Sequence, residues 1–232
     1  MLFTRLPESV LVVAAHPDDE VLGCGGTIAR FSSAGIPVSV LFTADGVTSR
    51  DATSDEMSCE LELRRNAARR ACNILGVTRI TFLDNPDNML DTVPLLGLAK
   101  QIESEISEVK PTHILTHHAG DTNIDHRRTL DACVVCCRPQ RDNHNISIVS
   151  FEVASSTEWQ IPSNHSSFVP NLYIDISDYL DVKLEALECY RYELREWPHP
   201  RSLKAIGHLA KWRGATVGVD SAEAYVIGRI IL

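Results

Sequence analysis

The chain has 232 residues, 44% hydrophobic and 23% charged, the makeup of a globular protein with a sizeable core rather than a disordered or fibrous one. A formal net charge of -9 leaves no overall basic surface for non-specific nucleic-acid binding. No apolar run approaches the ~20 residues that a bilayer crossing needs, and residues 1–7 lack the charged-then-apolar pattern of a signal peptide. We therefore expect a cytoplasmic protein with no nucleic-acid partner and no membrane insertion.

In chain order, apolar β-branched runs at 10–15, 38–42, 79–83, 113–116 and 146–151 alternate with helix-period segments at 25–33, 56–75, 93–107 and 126–136. Breakers close several of these segments, among them Gly35-Ile36-Pro37 and Gly76. The alternation predicts a single-domain α/β fold over residues 1–232: a Rossmann-like three-layer sandwich with a mostly parallel sheet and strand order 3-2-1-4-5. From about residue 152 a C-terminal elaboration follows. It comprises a polar loop at 154–170, a strand at 172–176, helices at 178–195 and 202–212, and a final short element at 224–231.

The seven cysteines are odd in number, and without a secretion signal they are expected to be reduced. Cys133, Cys136 and Cys137 come closest to a metal motif. They lack a second ligand pair at suitable spacing, so we read them as buried core thiols.

The first strand delivers His16-Pro17-Asp18-Asp19-Glu20 and leads into the glycine-rich run 23–26. A histidine and three carboxylates at the tip of a buried strand are costly unless paired or bound to metal, which points to a metal site. Beyond the fourth strand, residues 116–127 read THHAGDTNIDHR and are equally rich in ligand-capable groups. In open parallel sheets ligands bind beyond the carboxyl ends of the strands, where strand order reverses. With order 3-2-1-4-5 the two segments face one another there.

The HPDDE run together with the downstream Asp125-His126 resembles the PIG-L/LmbE-like family of zinc-dependent N-acetyl-sugar deacetylases. The likeness extends from residue 10 to the C-terminal Arg213-Gly214 and Ala222-Glu223-Ala224-Tyr225 segments. It implies a zinc ion held by His16, Asp19 and His126, with Asp18 as general base and an N-acetyl amino sugar or sugar conjugate as the small-molecule substrate. It also leaves a homo-oligomer open. Many members of that family carry a histidine three residues before the metal histidine, where this chain has Asn123. An amide can donate a hydrogen bond to an oxyanion but has no proton to give. That leaves His118, or His199 stiffened between Pro198 and Pro200, as substitutes.

Substrate contacts are expected from Arg50, which follows the second strand, and from Asp87, which follows the third. Arg64 matches the family's substrate-binding arginine. Arg50, Arg64 and Arg201 together suggest a phosphate- or nucleotide-linked sugar. The resemblance makes a braced Arg213–Glu223 pair the plain reading of those two residues. Three other readings compete with this one. Magnesium-dependent phosphoryl or glycosyl transfer conflicts with the histidine ligands and the lack of a phosphate-cradling GxxxxGK[ST] loop. A non-catalytic sugar-binding protein has no need of Asp18. An amidase for a larger acyl or thiol-conjugate amide is not separated by sequence.

Overall fold

The first strand, β1 (Val10–Ala14), is buried at all five positions, and its side chains divide between two cores. Val10, Val12 and Ala14 face one, Leu11 and Val13 the other, as the two-residue period of a strand requires. The computed structural model describes residues 6–48, 53–139, 145–163 and 167–231.

The chain continues through α1 (Asp19–Ser33), β2 (Val38–Ala44), α2 (Ser54–Leu75), β3 (Arg79–Asn85), α3 (Leu95–Val109), β4 (His113–His117), α4 (Ile124–Cys136) and β5 (Ser147–Phe151). After these come β6 (Leu172–Asp175), α5 (Leu180–Glu188), α6 (Leu203–Ala215) and β7 (Ala222–Arg229). All strands join one sheet of order β3-β2-β1-β4-β5-β7-β6. The first five run parallel in the expected order. The C-terminal third extends that sheet, because β7 pairs antiparallel with both β5 and β6.

Helices cover both faces. Val21 and Ile28 of α1, Ala68 of α2 and Ala186 of α5 pack into the first core, and Leu98 and Ile102 of α3 with Ala132 and Cys133 of α4 into the second. The cysteine trio lies in that second core, where burial pushes the Cys136 thiol up to about 12 and the Cys137 thiol to about 11. Among the described residues, no helix is long and apolar enough to cross a membrane.

Local sequence explains the helix limits. Thr53 and Glu56 form a reciprocal capping box at the start of α2, and Gly76 ends it at φ 77°, in the left-handed region. α1 begins six residues before the expected position, and Cys24 at φ -147° kinks it. Gly23 allows it to lie on the sheet there, since a Cβ would stand 2.2 Å from the Phe151 ring. Beyond the kink the Gly26 and Thr27 N–H groups donate to the Glu223 carboxylate at 2.9 and 2.7 Å.

Two expectations need correction. Glu223 pairs with the buried Lys183 at 2.6 Å, while Arg213 pairs with Glu152, so there is no Arg213–Glu223 brace. The helix expected over 178–195 stops at Glu188, and the Tyr190 hydroxyl instead reaches back to Glu20.

Candidate metal centre and catalytic pocket

Adjacent parallel strands β1 and β4 end side by side, in register from Val10 with His113 to Val13 with Thr116. The turn after β1 and the start of α4 therefore meet at the reversal of strand order. His16 Nδ1 and His126 Nε2 each lie 3.2 Å from the same oxygen of Asp19. These three buried side chains are close enough together to hold one metal ion.

Buried carboxylates fix the other nitrogen of each ring. His16 Nε2 faces Asp125 at 3.0 Å and Asp87 at 3.1 Å, and His126 Nδ1 faces Asp121 at 3.1 Å. Asp121 accepts further hydrogen bonds from Ser156, from Thr157 at 2.7 Å and from the Asn123 N–H at 2.8 Å. Asp125 accepts from the Asn88 and Leu90 N–H groups. Histidine ligands oriented by carboxylates are the arrangement a metal centre needs, so the donor set fits a cation held by His16, Asp19 and His126.

The electrostatics agree with that fit. Burial pushes the His126 imidazolium down, yet Asp19 and Asp121 outweigh it and carry its pKa to about 9. His16 likewise rises well above its usual value, against burial, through Asp125, Asp19 and Asp87. This carboxylate-rich centre thus demands positive charge. His117 is the exception. Burial, helped by His126, lowers it to about 3, and its Nε2 accepts from the Ala15 N–H at 2.8 Å. It stacks on the His126 ring with centroids 3.9 Å apart, as a neutral wall of the site.

Asp18 is shaped differently. It precedes α1 at φ 128° and makes no capping hydrogen bond with its side chain, so it does not serve as a helix cap. A non-glycine residue holds such a conformation only where its surroundings impose it. Here its N–H donates to Glu20 Oε2 at 3.0 Å, and its carbonyl accepts from Val21 and Leu22. Glu20 is buried and held by Tyr190; burial lifts its carboxyl to about 8. The Asp18 carboxylate meets Arg201 at 3.2 Å; burial raises it and Arg201 restrains it, leaving a pKa of about 6.

A pocket of about 260 Å³ opens over this centre, lined by His16, Asp18, Gly46, Arg64, Asp87, Asn88, Asn123, His126, Ser155, Ser156, Glu193 and Arg201. Seven of the residues singled out from the sequence border it, His16, Asp18, Arg64, Asp87, Asn123, His126 and Arg201, and Asp87 sits on His16. Asn123 caps α4 through its Oδ1, and its amide nitrogen donates to Asn88.

Two candidates are not brought to the pocket. The His118 ring packs edge-on against Phe168, and His199 packs against Trp159 while its Nδ1 accepts from the Arg201 N–H. Arg50 lies outside the described residues. Arg64 is engaged by Glu193 at 2.5 Å and Arg201 by Asp18, so both guanidiniums face carboxylates. Asp121, Asp125 and Glu20 were missed as site residues; two of them lie inside the ligand-rich run 116–127, which was the available signal.

A doubly wound sheet with a buried His/Asp/His cluster at its switch point, close enough together to hold a cation, defines an α/β protein with a candidate metal site. The chain belongs to the PIG-L family, whose model, described as GlcNAc-PI de-N-acetylase, matches residues 11–137. It is 30% identical over 207 residues to a diacetylchitobiose deacetylase of Thermococcus kodakarensis, covering 82% of this chain and 71% of that one. It is 28% identical over 191 residues to the uncharacterized deacetylase YaiS of Escherichia coli, covering 79% and 91%. In fold it is similar to the N,N'-diacetylchitobiose deacetylase of Pyrococcus horikoshii, with a TM-score of 0.78 at 22% identity over 95% of this chain and 84% of that one.

Proposed function

We propose that this protein hydrolyses the acetamide of an N-acetylated amino sugar or sugar conjugate, with zinc as its cofactor, and releases acetate and a free amine. The observation that carries the reading is Asp18: a buried carboxylate, pKa about 6, bordering the same pocket as His16 and His126. The deacetylase activities named for its relatives support the same reaction.

Two imidazoles and one carboxylate favour zinc over magnesium, which prefers oxygen ligands. His16, Asp19 and His126 would hold zinc, which would supply Lewis acidity toward the amide carbonyl and the water. Asp18 takes the proton from that water as its oxygen adds to the carbonyl carbon. A pKa near 6 keeps Asp18 ionised at neutral pH yet able to hold the proton. As the C–N bond breaks, the Asp18 carboxyl returns the proton to the departing nitrogen. Asn123 cannot supply that proton, so a single carboxyl serves both steps.

Arg201 keeps Asp18 ionised and aimed, and Asp121 and Asp125 hold the two imidazoles. Asn88, Ser155 and Ser156 offer polar groups for sugar hydroxyls. Among the described residues the side chains that line the pocket are polar, with none apolar to receive a long acyl chain, which favours acetyl as the group removed.

The test is acetate release from a panel of N-acetyl-hexosamines, their glycosides and their phosphates. Zinc-loaded protein would be compared with Asp18→Asn, with metal content measured on His16→Ala and His126→Ala. Release that vanishes in Asp18→Asn, with zinc retained there and lost from the histidine variants, is the expected result. Full zinc content in either histidine variant, or unchanged turnover in Asp18→Asn, refutes the assignment.

A further inference from the structure

An aspartate at the start of a helix ordinarily turns its side chain back onto the first N–H groups. At α1 the backbone carries that task. The Asp19 N–H donates to the His16 carbonyl at 3.2 Å, and the Val21 and Leu22 N–H groups donate to the Asp18 carbonyl at 3.1 and 2.9 Å. The Asp18 carboxylate is thereby released to border the pocket. Its own N–H belongs to a buried residue and needs an acceptor. Glu20 supplies one: Oε2 accepts from that N–H at 3.0 Å, while Oε1 accepts from the Tyr190 hydroxyl. Glu20 and Tyr190 are both buried, so water does not compete for either bond, and neither residue lines the pocket.

We propose that Glu20 is a positioning residue for the reaction, held in place by Tyr190: by accepting the Asp18 N–H it keeps the Asp18 backbone at φ 128° and aims the Asp18 carboxylate into the pocket. The inference rests on the deacetylase reading and deepens it, because it gives two residues outside the pocket a part in the step at Asp18. Without the acceptor the turn is free to relax toward negative φ, the region that L-residues favour, and the Asp18 side chain swings with it. What the device requires at position 20 is an acceptor, not a charge. In Glu20→Gln the amide oxygen accepts the Asp18 N–H and the amide nitrogen donates to the Tyr190 oxygen. Glu20→Met has similar length and leaves that N–H buried without a partner. Tyr190 follows α5, in the segment whose Glu193 holds Arg64, so the packing of the C-terminal elaboration against α1 sets the aim of Asp18.

The test compares zinc-saturated wild type, Glu20→Gln, Glu20→Met and Tyr190→Phe in acetate release from the most active N-acetyl-hexosamine of the panel. With KM within ~2-fold throughout, kcat is expected to fall ~100-fold in Glu20→Met and ~10-fold in Tyr190→Phe, and Glu20→Gln to restore it to within ~3-fold of wild type. A role confined to folding would lower Tm and leave kcat of the folded, zinc-loaded protein intact. Unchanged kcat in Tyr190→Phe, which removes one oxygen, or a loss in Glu20→Gln as large as in Glu20→Met, overturns the proposal. The Asp18 amide resonance, followed by nitrogen–proton correlation spectra, reads the hydrogen bond without turnover. It is expected to move upfield in Glu20→Met and to stay near its wild-type position in Glu20→Gln. If wild type releases no acetate while that pattern holds, the deacetylase reading is refuted and the positioning of Asp18 stands. A resonance unmoved in Glu20→Met refutes the positioning, whether or not acetate is released.

Discussion

Arg201 Nη1 lies 3.2 Å from Asp18 Oδ2, joining residues 183 positions apart. Burial drives the Asp18 carboxyl up, and Arg201 is the strongest influence holding it at about 6. In Arg201→Leu that restraint is gone, so Asp18 stays protonated to higher pH and cannot accept a proton there. The acid limb of kcat/KM against pH is expected to move upward. Activity near pH 6.5 should fall ~10-fold, recovering in part at alkaline pH. An acid limb that stays in place would mean that Arg201 does not act through Asp18.

The metal-free protein has its own pH signature. His126 holds a proton up to about pH 9, above its usual 6.5, because Asp19 and Asp121 surround it. A raised folded-state pKa contributes stability that is fully present below pH 6.5 and is lost as pH rises through about 9. Chelator-treated protein should therefore show a Tm that declines across that interval. Metal requires the neutral imidazole, so stabilisation by added zinc should grow over the same range. A flat or rising Tm for the metal-free protein would show that His126 is not held as an imidazolium.

Asp121 is fully buried, and it orients the His126 ring and collects Ser156, Thr157 and the Asn123 N–H. In Asp121→Ala those donors lose their acceptor, and His126 loses the partner that fixes its tautomer. Zinc affinity, measured by competition with a chelator, is expected to drop ~10- to 100-fold. Asp121→Asn keeps an acceptor for Ser156 or Thr157 and should lose less. Unchanged affinity in both variants would mean that Asp121 does not act on the metal site through His126.

Much of this was legible in the residues. β1 and β2 are mostly apolar runs buried at every position, which hydrophobicity marks, whereas β4 (HILTH) and β5 (SIVSF) set two or three apolar residues among polar ones. The end of α5 was not legible, because residues 189–195 carry a helical pattern. Just past the end of the helix the Tyr190 hydroxyl bonds to Glu20, 170 residues away, a contact that local sequence does not reveal. The site shows the same divide. HPDD and DH resemble a family's motifs, whereas the partner of each carboxylate depends on tertiary packing. Asp87 follows a different strand from His16, and Asp125 is adjacent to His126 in sequence but serves His16. His118 and His199 were attractive for their chemistry and their flanking residues. Their side chains turn instead toward Phe168 and Trp159.

A last prediction concerns Lys183, which is remote from the pocket and buried, as is Glu223. Its ammonium donates to Glu223 at 2.6 Å and to the Leu22 carbonyl at 2.9 Å, while Glu223 accepts from Gly26 and Thr27 just past the kink of α1. The pair thus fastens both halves of the helix whose first turn carries Asp19. Removing one partner of a buried ion pair leaves the other uncompensated, at a cost of ~3–5 kcal/mol. In Lys183→Met the loss should fall near ~3 kcal/mol, since Glu223 keeps its backbone donors and Tyr225. Urea unfolding should register it as a lower midpoint at an unchanged m-value. If the fastening also sets how α1 presents Asp19, zinc affinity falls with stability in this variant. A stability loss with zinc affinity intact would confine the pair to bracing the kink.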